Sequence, residues 1–126
     1  MKFVDIVSGI LLKGKKFLIE KRKINEKIDP GLTCFPSGHV EPFESKENAL
    51  KREMKEELNI KVKKIKFIKK DFWTASNGEN QNLYYYLILE YEGKPECKTA
   101  KELIWTENIK DLDAEVDRKV IEKMMK

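Results

Sequence analysis

The sequence predicts an α/β fold, a mixed β-sheet with helices packed on it. Two observations carry this. Apolar, β-rich stretches recur along the chain, the strongest being "LYYYLILEY" (Leu83–Tyr91). Among and after them, two segments repeat apolar residues at three- and four-residue spacing: Lys46–Leu58 and the stretch from Ala114 onward. The order is several strands, a helix, more strands and a helix. The whole chain, 126 residues, suits one compact domain spanning 1–126.

The elements follow in order. "FVDIVSGILL" (Phe3–Leu12) reads as a central strand, and "KKFLIEKR" (Lys15–Arg22) as its hairpin partner across a turn at Gly14. Asp29-Pro30-Gly31 marks a loop. "FPSGHVEPFES" holds two prolines and a glycine, which predicts a constrained loop with a short extended piece. Ser45 can cap the helix Lys46–Leu58, and Asn59 stands where a left-handed residue ends one. "KVKKIKFIKKDFW" (Lys61–Trp73) is strand-like, with lysines on its wet side. "TASNGENQN" is a polar loop, and "ELIWTE" one more short strand. In the last segment Val116, Val120 and Met124 form an apolar stripe that Ile121 and Met125 broaden, with Asp113 as its cap.

Composition narrows the function. Apolar residues make up 40% of the chain, enough for a globular core. The net charge of +4 tolerates a polyphosphate ligand without demanding a nucleic-acid partner. No apolar run reaches the length of a membrane span, and Asp5 interrupts the one stretch that imitates a signal peptide. Cys34 and Cys97 lie far apart, which predicts reduced thiols in a cytoplasmic protein. With His39 the only histidine, a zinc site is not expected.

The middle helix carries the chemistry. On a helical wheel Glu53, Glu56 and Glu57 fall within an arc of roughly 100°. Leu50, Met54 and Leu58 form the adjoining core stripe. Glu53 repels Glu56 and Glu57 by about a few tenths of a kcal/mol per pair. Glu56 and Glu57 also sit at the negative end of the helix dipole. Both penalties reverse in sign against a divalent cation, and clustered oxygens suit Mg²⁺ or Mn²⁺. Arg52, one turn before Glu56, can hold that carboxylate in place. An acidic helix face facing only water is the plainer alternative.

The glutamates lie in a longer pattern: Gly38, Glu44, Arg52-Glu53-Met54, Glu56-Glu57, Asn59 and Ile60. This resembles the Nudix box, G-x5-E-x7-R-E-U-x-E-E-x-G-U, where U is bulky and apolar. Asn59 alone departs from it, and asparagine also tolerates a positive φ. The resemblance implies an α/β/α sandwich, hydrolysis of a nucleoside diphosphate linked to another group, and dependence on Mg²⁺ or Mn²⁺. It makes Glu53, Glu56 and Glu57 metal ligands, with the Gly38 carbonyl a further one. Arg52 would orient the glutamates, and Glu44 would act from the helix start through hydrogen bonds or a bound water. Glu57, Glu56 and, outside the box, Glu102 are the candidate bases. Arg22, assisted by Lys23, would meet the substrate phosphates. Ser37 and Phe43 stand where many members have glycine.

Substrate class follows by elimination. No proline follows the box until Pro95 and no tyrosine until Tyr84, against ADP-ribose and dinucleoside polyphosphate hydrolases respectively. The remainder resembles small MutT-type enzymes that convert a nucleoside triphosphate to the monophosphate and pyrophosphate. Cleavage of ADP-ribose, NDP-sugars or RNA 5′-pyrophosphates, and a non-catalytic nucleotide- or RNA-binding role, stay open. So does the oligomeric state, a homodimer included. Phe3, Phe35, Phe72 and Trp73 are candidates to stack on a base, but each reads more readily as a residue of the core.

Overall fold

The computed structural model describes residues 2–125; Met1 and Lys126, the ends of the expected domain, lie outside the described residues. The strands are β1 (Phe3–Ile10), β2 (Leu12–Lys13), β3 (Lys16–Lys21), β4 (Thr33–Cys34), β5 (Ser37–His39), β6 (Lys61–Thr74), β7 (Asn80–Glu92) and β8 (Glu102–Thr106). The helices are α1 (Lys46–Leu58) and α2 (Glu115–Met124), with one 3₁₀ turn at Ile109–Asp111.

Two sheets fill the middle layer. The first runs β5-β1-β7-β6; β1 and β7 are parallel and the other pairs antiparallel, so the sheet is mixed. The second is centred on β3, which pairs with β2, β4 and β8. Strand alternation sends the two faces of this layer into two cores. Val7, Leu11, Leu18, Tyr86 and Ile88 pack with Leu50, Met54 and Leu58 of α1. Ile6, Ile10, Phe17, Ile19, Leu83 and Tyr85 pack with Val120 and Ile121 of α2. The result is an α/β/α sandwich. Gly9 lets α1 close down on β1: a Cβ there would stand 2.8 Å from the Met54 sulfur and 2.9 Å from Ile88 Cδ1. Among the described residues, no helix is long and apolar enough to cross a membrane.

The capping signals of α1 act as the sequence predicts. The Ser45 side chain accepts from the Asn48 amide, and Asn59 takes the left-handed conformation at φ 55°. Three expectations are corrected. The strand read as Phe3–Leu12, with Lys15–Arg22 as its hairpin partner, breaks at Leu11, whose carbonyl accepts from Leu18 N at 3.1 Å as the chain passes from the first sheet to the second; across Gly14, β3 pairs with β2, and β1 pairs instead with β5 and β7. The polar loop shrinks to Ala75–Glu79, because β6 and β7 extend as a hairpin closed by Ala75 N to Glu79 O at 2.8 Å. Asp113 does not cap α2: its carboxylate accepts from Thr33 N at 2.7 Å, and Ala114 holds the cap position without a side-chain bond.

Candidate active site

The box residues meet where the β5–α1 loop folds against the last two turns of α1. Arg52 is the hub. Its Nε and Nη2 donate to the two Glu44 oxygens at 2.8 and 3.0 Å, and Nη2 also donates to the His39 carbonyl at 2.9 Å. Its Nη1 donates to Glu53 Oε1 at 2.7 Å, whereas Glu56 Oε2 lies at 3.4 Å. The guanidinium thus reaches sideways to the loop more strongly than along the helix to Glu56. Glu44 also accepts from the Glu41 amide, and its bonds to Arg52 hold its carboxyl down at about 2.

Gly38 explains why the box begins with glycine. A Cβ there would fall well inside van der Waals contact with the Glu53 carboxylate. Nothing larger than hydrogen lets β5 press against that carboxylate. Phe43, at the other glycine-like position, takes a positive φ of 64° with its ring wholly exposed. A side chain there is strained and packs on nothing.

Glu57 is buried, and facing it within hydrogen-bonding range is Glu20 of β3, also buried. Burial pushes both carboxyls up, and the proximity of Glu20 pushes Glu57 further. Glu57 Oε2 and Glu20 Oε2 are buried without a hydrogen-bond partner. Sequence reasoning missed Glu20. Its signal was alternation: Leu18 belongs to the α1 core, so Glu20, two residues on, faces α1 too.

Two cavities flank these groups. One, of about 370 Å³, is lined by Ile6, Phe35, Trp73, Leu83 and Asp117 among others. The second, of about 220 Å³, is lined by Glu20, Lys23, Glu56, Glu57, Thr99 and Ala100 among others. Arg22, Glu26, Ser37 and Glu53 line both, so the cavities abut. Arg22 is held by the Ile28 carbonyl at 2.9 Å and Glu26 at 3.0 Å. Asp117, which the sequence does not mark as a site residue, projects from the first turn of α2 and accepts from the buried Tyr85 hydroxyl at 2.7 Å. Its spacing before Val120 and Ile121 is that of the apolar stripe, and that was its signal.

The structure does not bring Glu102 to either cavity; it is exposed at the start of β8, opposite Lys21. Of the aromatic candidates, Phe35 is core and Trp73 lines the larger cavity, its Nε1 donating to Asp29 Oδ2 at 3.0 Å. Phe3 and Phe72 form an exposed edge-on pair instead. Cys34 is a buried free cysteine and Cys97 an exposed one.

Among the described residues, no three acidic, histidine or cysteine side chains already meet at metal-binding spacing. The donor set nonetheless fits a hard divalent cation. Glu20, Glu53, Glu56 and Glu57 all face the second cavity, and a buried oxygen of Glu20 and one of Glu57 lack any partner.

Comparison with known proteins bears on the family and the fold. The NUDIX domain family matches residues 2–123. An 8-oxo-dGTP diphosphatase of Buchnera aphidicola is 33% identical over 96 residues, covering 75% of this chain and 69% of the relative. A CTP pyrophosphohydrolase of Escherichia coli is 29% identical over 105 residues, covering 83% and 76%. The crystal structure of a MutT Nudix hydrolase from Burkholderia pseudomallei superimposes with a TM-score of 0.83 at 23% identity, over 98% of each chain, and shows the shared fold. With the box geometry and a family match over nearly its whole length, the chain belongs to the NUDIX family as a small MutT-type Nudix hydrolase.

Proposed function

We propose that the protein hydrolyses a nucleoside triphosphate to the monophosphate and pyrophosphate, with its base in the larger cavity and its phosphates in the acidic cleft. One observation carries this reading: a cavity of about 370 Å³ abuts, through residues common to both, a cleft lined by Glu20, Glu53, Glu56 and Glu57 together with Arg22 and Lys23. A nucleobase fits the first and a phosphate chain with its cation the second. The names of the two relatives, one acting on 8-oxo-dGTP and one on CTP, support a nucleotide of this class.

Glu53, Glu56 and Glu57, with the Gly38 carbonyl, are the residues to hold Mg²⁺ or Mn²⁺. When bound, the cation neutralises the phosphates and fixes them for attack by water. Arg52, locked by Glu44 and the His39 carbonyl, keeps the end of α1 oriented. Glu56 is more than half exposed, with only its 3.4 Å contact to Arg52, so one of its oxygens can hold the cation while the other takes the proton of the attacking water. Arg22, at the junction of the cavities, faces the phosphates, and Lys23 lines the cleft beside it. Asp117 and Trp73 present an acceptor and an aromatic edge to the base.

The test is a nucleotide panel with Mg²⁺ and with Mn²⁺, measuring pyrophosphate and free phosphate separately. Triphosphates are expected to yield pyrophosphate, and Glu57→Gln to abolish turnover while the protein stays folded. Near wild-type turnover by that variant overturns the assignment.

A further inference from the structure

We infer that Glu20 is an additional carboxylate ligand for the divalent cation, supplied by the sheet and reaching it from opposite α1. This rests on the cation-holding role given above to the helix. It extends the ligand set to a residue outside the box, on a different element.

Three observations carry it. First, Glu20 is only 3% exposed, yet it sits on the central strand of its sheet facing a helix end already crowded with acids. A buried carboxylate so placed is costly unless something positive or hydrogen-bonding meets it. Second, nothing does so at one oxygen: Glu20 Oε2 is buried and unpartnered, and so is Oε2 of the facing Glu57. Third, both side chains line the cleft that Glu53 and Glu56 also line. The nearby cations do not answer the need. Arg22 is tied to Ile28 and Glu26, Arg52 to Glu44 and Glu53, and Lys23, which also lines the cleft, leaves both Oε2 atoms without a partner. A divalent ion held by Glu20 and Glu57 would give both orphaned oxygens a partner and offset the repulsion of two charged acids.

A pair of acids sharing one proton is the competing account. Glu20→Gln separates the two, because its amide can still donate to Glu57 while losing the negative charge. Binding of Mn²⁺ to the full chain is measured by calorimetry and by the resonance signal of free Mn²⁺, beside thermal melting without metal. Glu20→Gln is expected to weaken Mn²⁺ binding by about tenfold or more and to melt no lower than wild type in the absence of metal. Glu20→Cys is expected to lose Mg²⁺ and gain Cd²⁺, seen as a thiolate-to-cadmium charge-transfer band. The wild type, with Cys34 and Cys97 intact, is the control for that band. Glu53→Gln serves as the control for the helix.

Wild-type Mn²⁺ affinity in Glu20→Gln, with affinity lost in Glu53→Gln, overturns the role of Glu20 and leaves the helix reading standing. No Mn²⁺ binding by the wild type overturns the helix reading itself. A weakened Glu20→Gln beside a Glu20→Cys that gains no Cd²⁺ makes Glu20 a positioning residue and overturns ligation. Should Glu20→Gln fail to fold, the Cys variant carries the test.

Discussion

Gly38→Ala separates site geometry from fold stability. The added methyl would land within the van der Waals envelope of Glu53 Cδ, Oε1 and Oε2 together. Ordinary contacts of this kind lie at about 3.5–4.0 Å, so the carboxylate must retreat by on the order of 1 Å or more. The clash is with the far end of a flexible side chain, and Gly38 has no left-handed φ to defend. The fold therefore loses little beyond the 2.7 Å bond from Arg52 to Glu53, between side chains 24% and 13% exposed. That bond contributes about 1 kcal/mol, and its loss lowers Tm by about 4 °C in a chain of this size. Arg52 stays anchored by Glu44 and the His39 carbonyl.

Function should suffer far more. A misplacement of about 1 Å in a positioned catalytic group can reduce the rate about a hundredfold, near 2.7 kcal/mol of transition-state stabilisation. Expected results are a folded protein with a slightly lower Tm, weakened Mn²⁺ binding by calorimetry, and kcat/KM down about a hundredfold. Adding Glu53→Asp, one methylene shorter, should restore part of the Tm without restoring activity. A Gly38→Ala protein with wild-type Mn²⁺ affinity and rate would show that the Glu53–Gly38 contact has no part in the site.

Three further outcomes follow from the same geometry. Burial pushes the Asp117 carboxyl from its ordinary 3.8 up to about 6, against the opposing Tyr85 hydrogen bond. The folded state therefore holds this proton more tightly than the unfolded state. The resulting stability is complete below the ordinary value and is lost as pH rises through about 6, a contribution of about 3 kcal/mol. Asp117→Asn keeps an acceptor for Tyr85, so urea unfolding at pH 4 and pH 7 should show a smaller loss than wild type; parallel losses would refute this. Phe43→Gly relieves a positive φ under a fully exposed ring and should raise stability by about 0.5–1 kcal/mol in urea unfolding. Asn59→Ala should cost about 1 kcal/mol and Asn59→Gly less, because glycine tolerates the left-handed stop whereas alanine does not.

Legibility in the sequence followed the range of the interaction. The bounds of α1 were readable because Ser45 and Asn59 are local signals, each acting within four residues. The clustering of Glu53, Glu56 and Glu57 was readable from helical spacing alone. Asp113 misled for the opposite reason. Its position before α2 suits a cap, but Thr33, distant in sequence, takes the carboxylate. The break at Leu11 was invisible because both sheets bury apolar residues, and an unbroken apolar run does not record which sheet it joins. Arg52 was read as the partner of Glu56 from i,i+4 spacing, yet the loop offers it Glu44 with two oxygens, and the fork geometry prevails. Glu20 and Asp117 both interrupt apolar patterns at core-facing positions. Such interruptions are legible as buried polar groups, but the partner that answers them is not.

The acids around the end of α1 are accommodated in three different ways, and the division is informative. Glu44 is fully matched by the Arg52 fork and the Glu41 amide, which suits a group that holds others in place. Glu53 is matched by a single bond at one oxygen, and Glu56 by one long contact while exposed to water. Glu57 and Glu20 each leave a buried oxygen unanswered. A purely structural cluster would distribute its positive partners toward the most deeply buried acids, where an unpaired charge is most costly. Here Arg52 goes to the outer acids instead, leaving Glu57 and Glu20 as the poorest matched. Arg52 can release Glu53 to a cation and still be held by Glu44 and the His39 carbonyl, so the hub does not collapse when one acid leaves it. That asymmetry argues that the cluster is organised around a cation to be bound, with Arg52 stabilising the frame and not the charge at its centre.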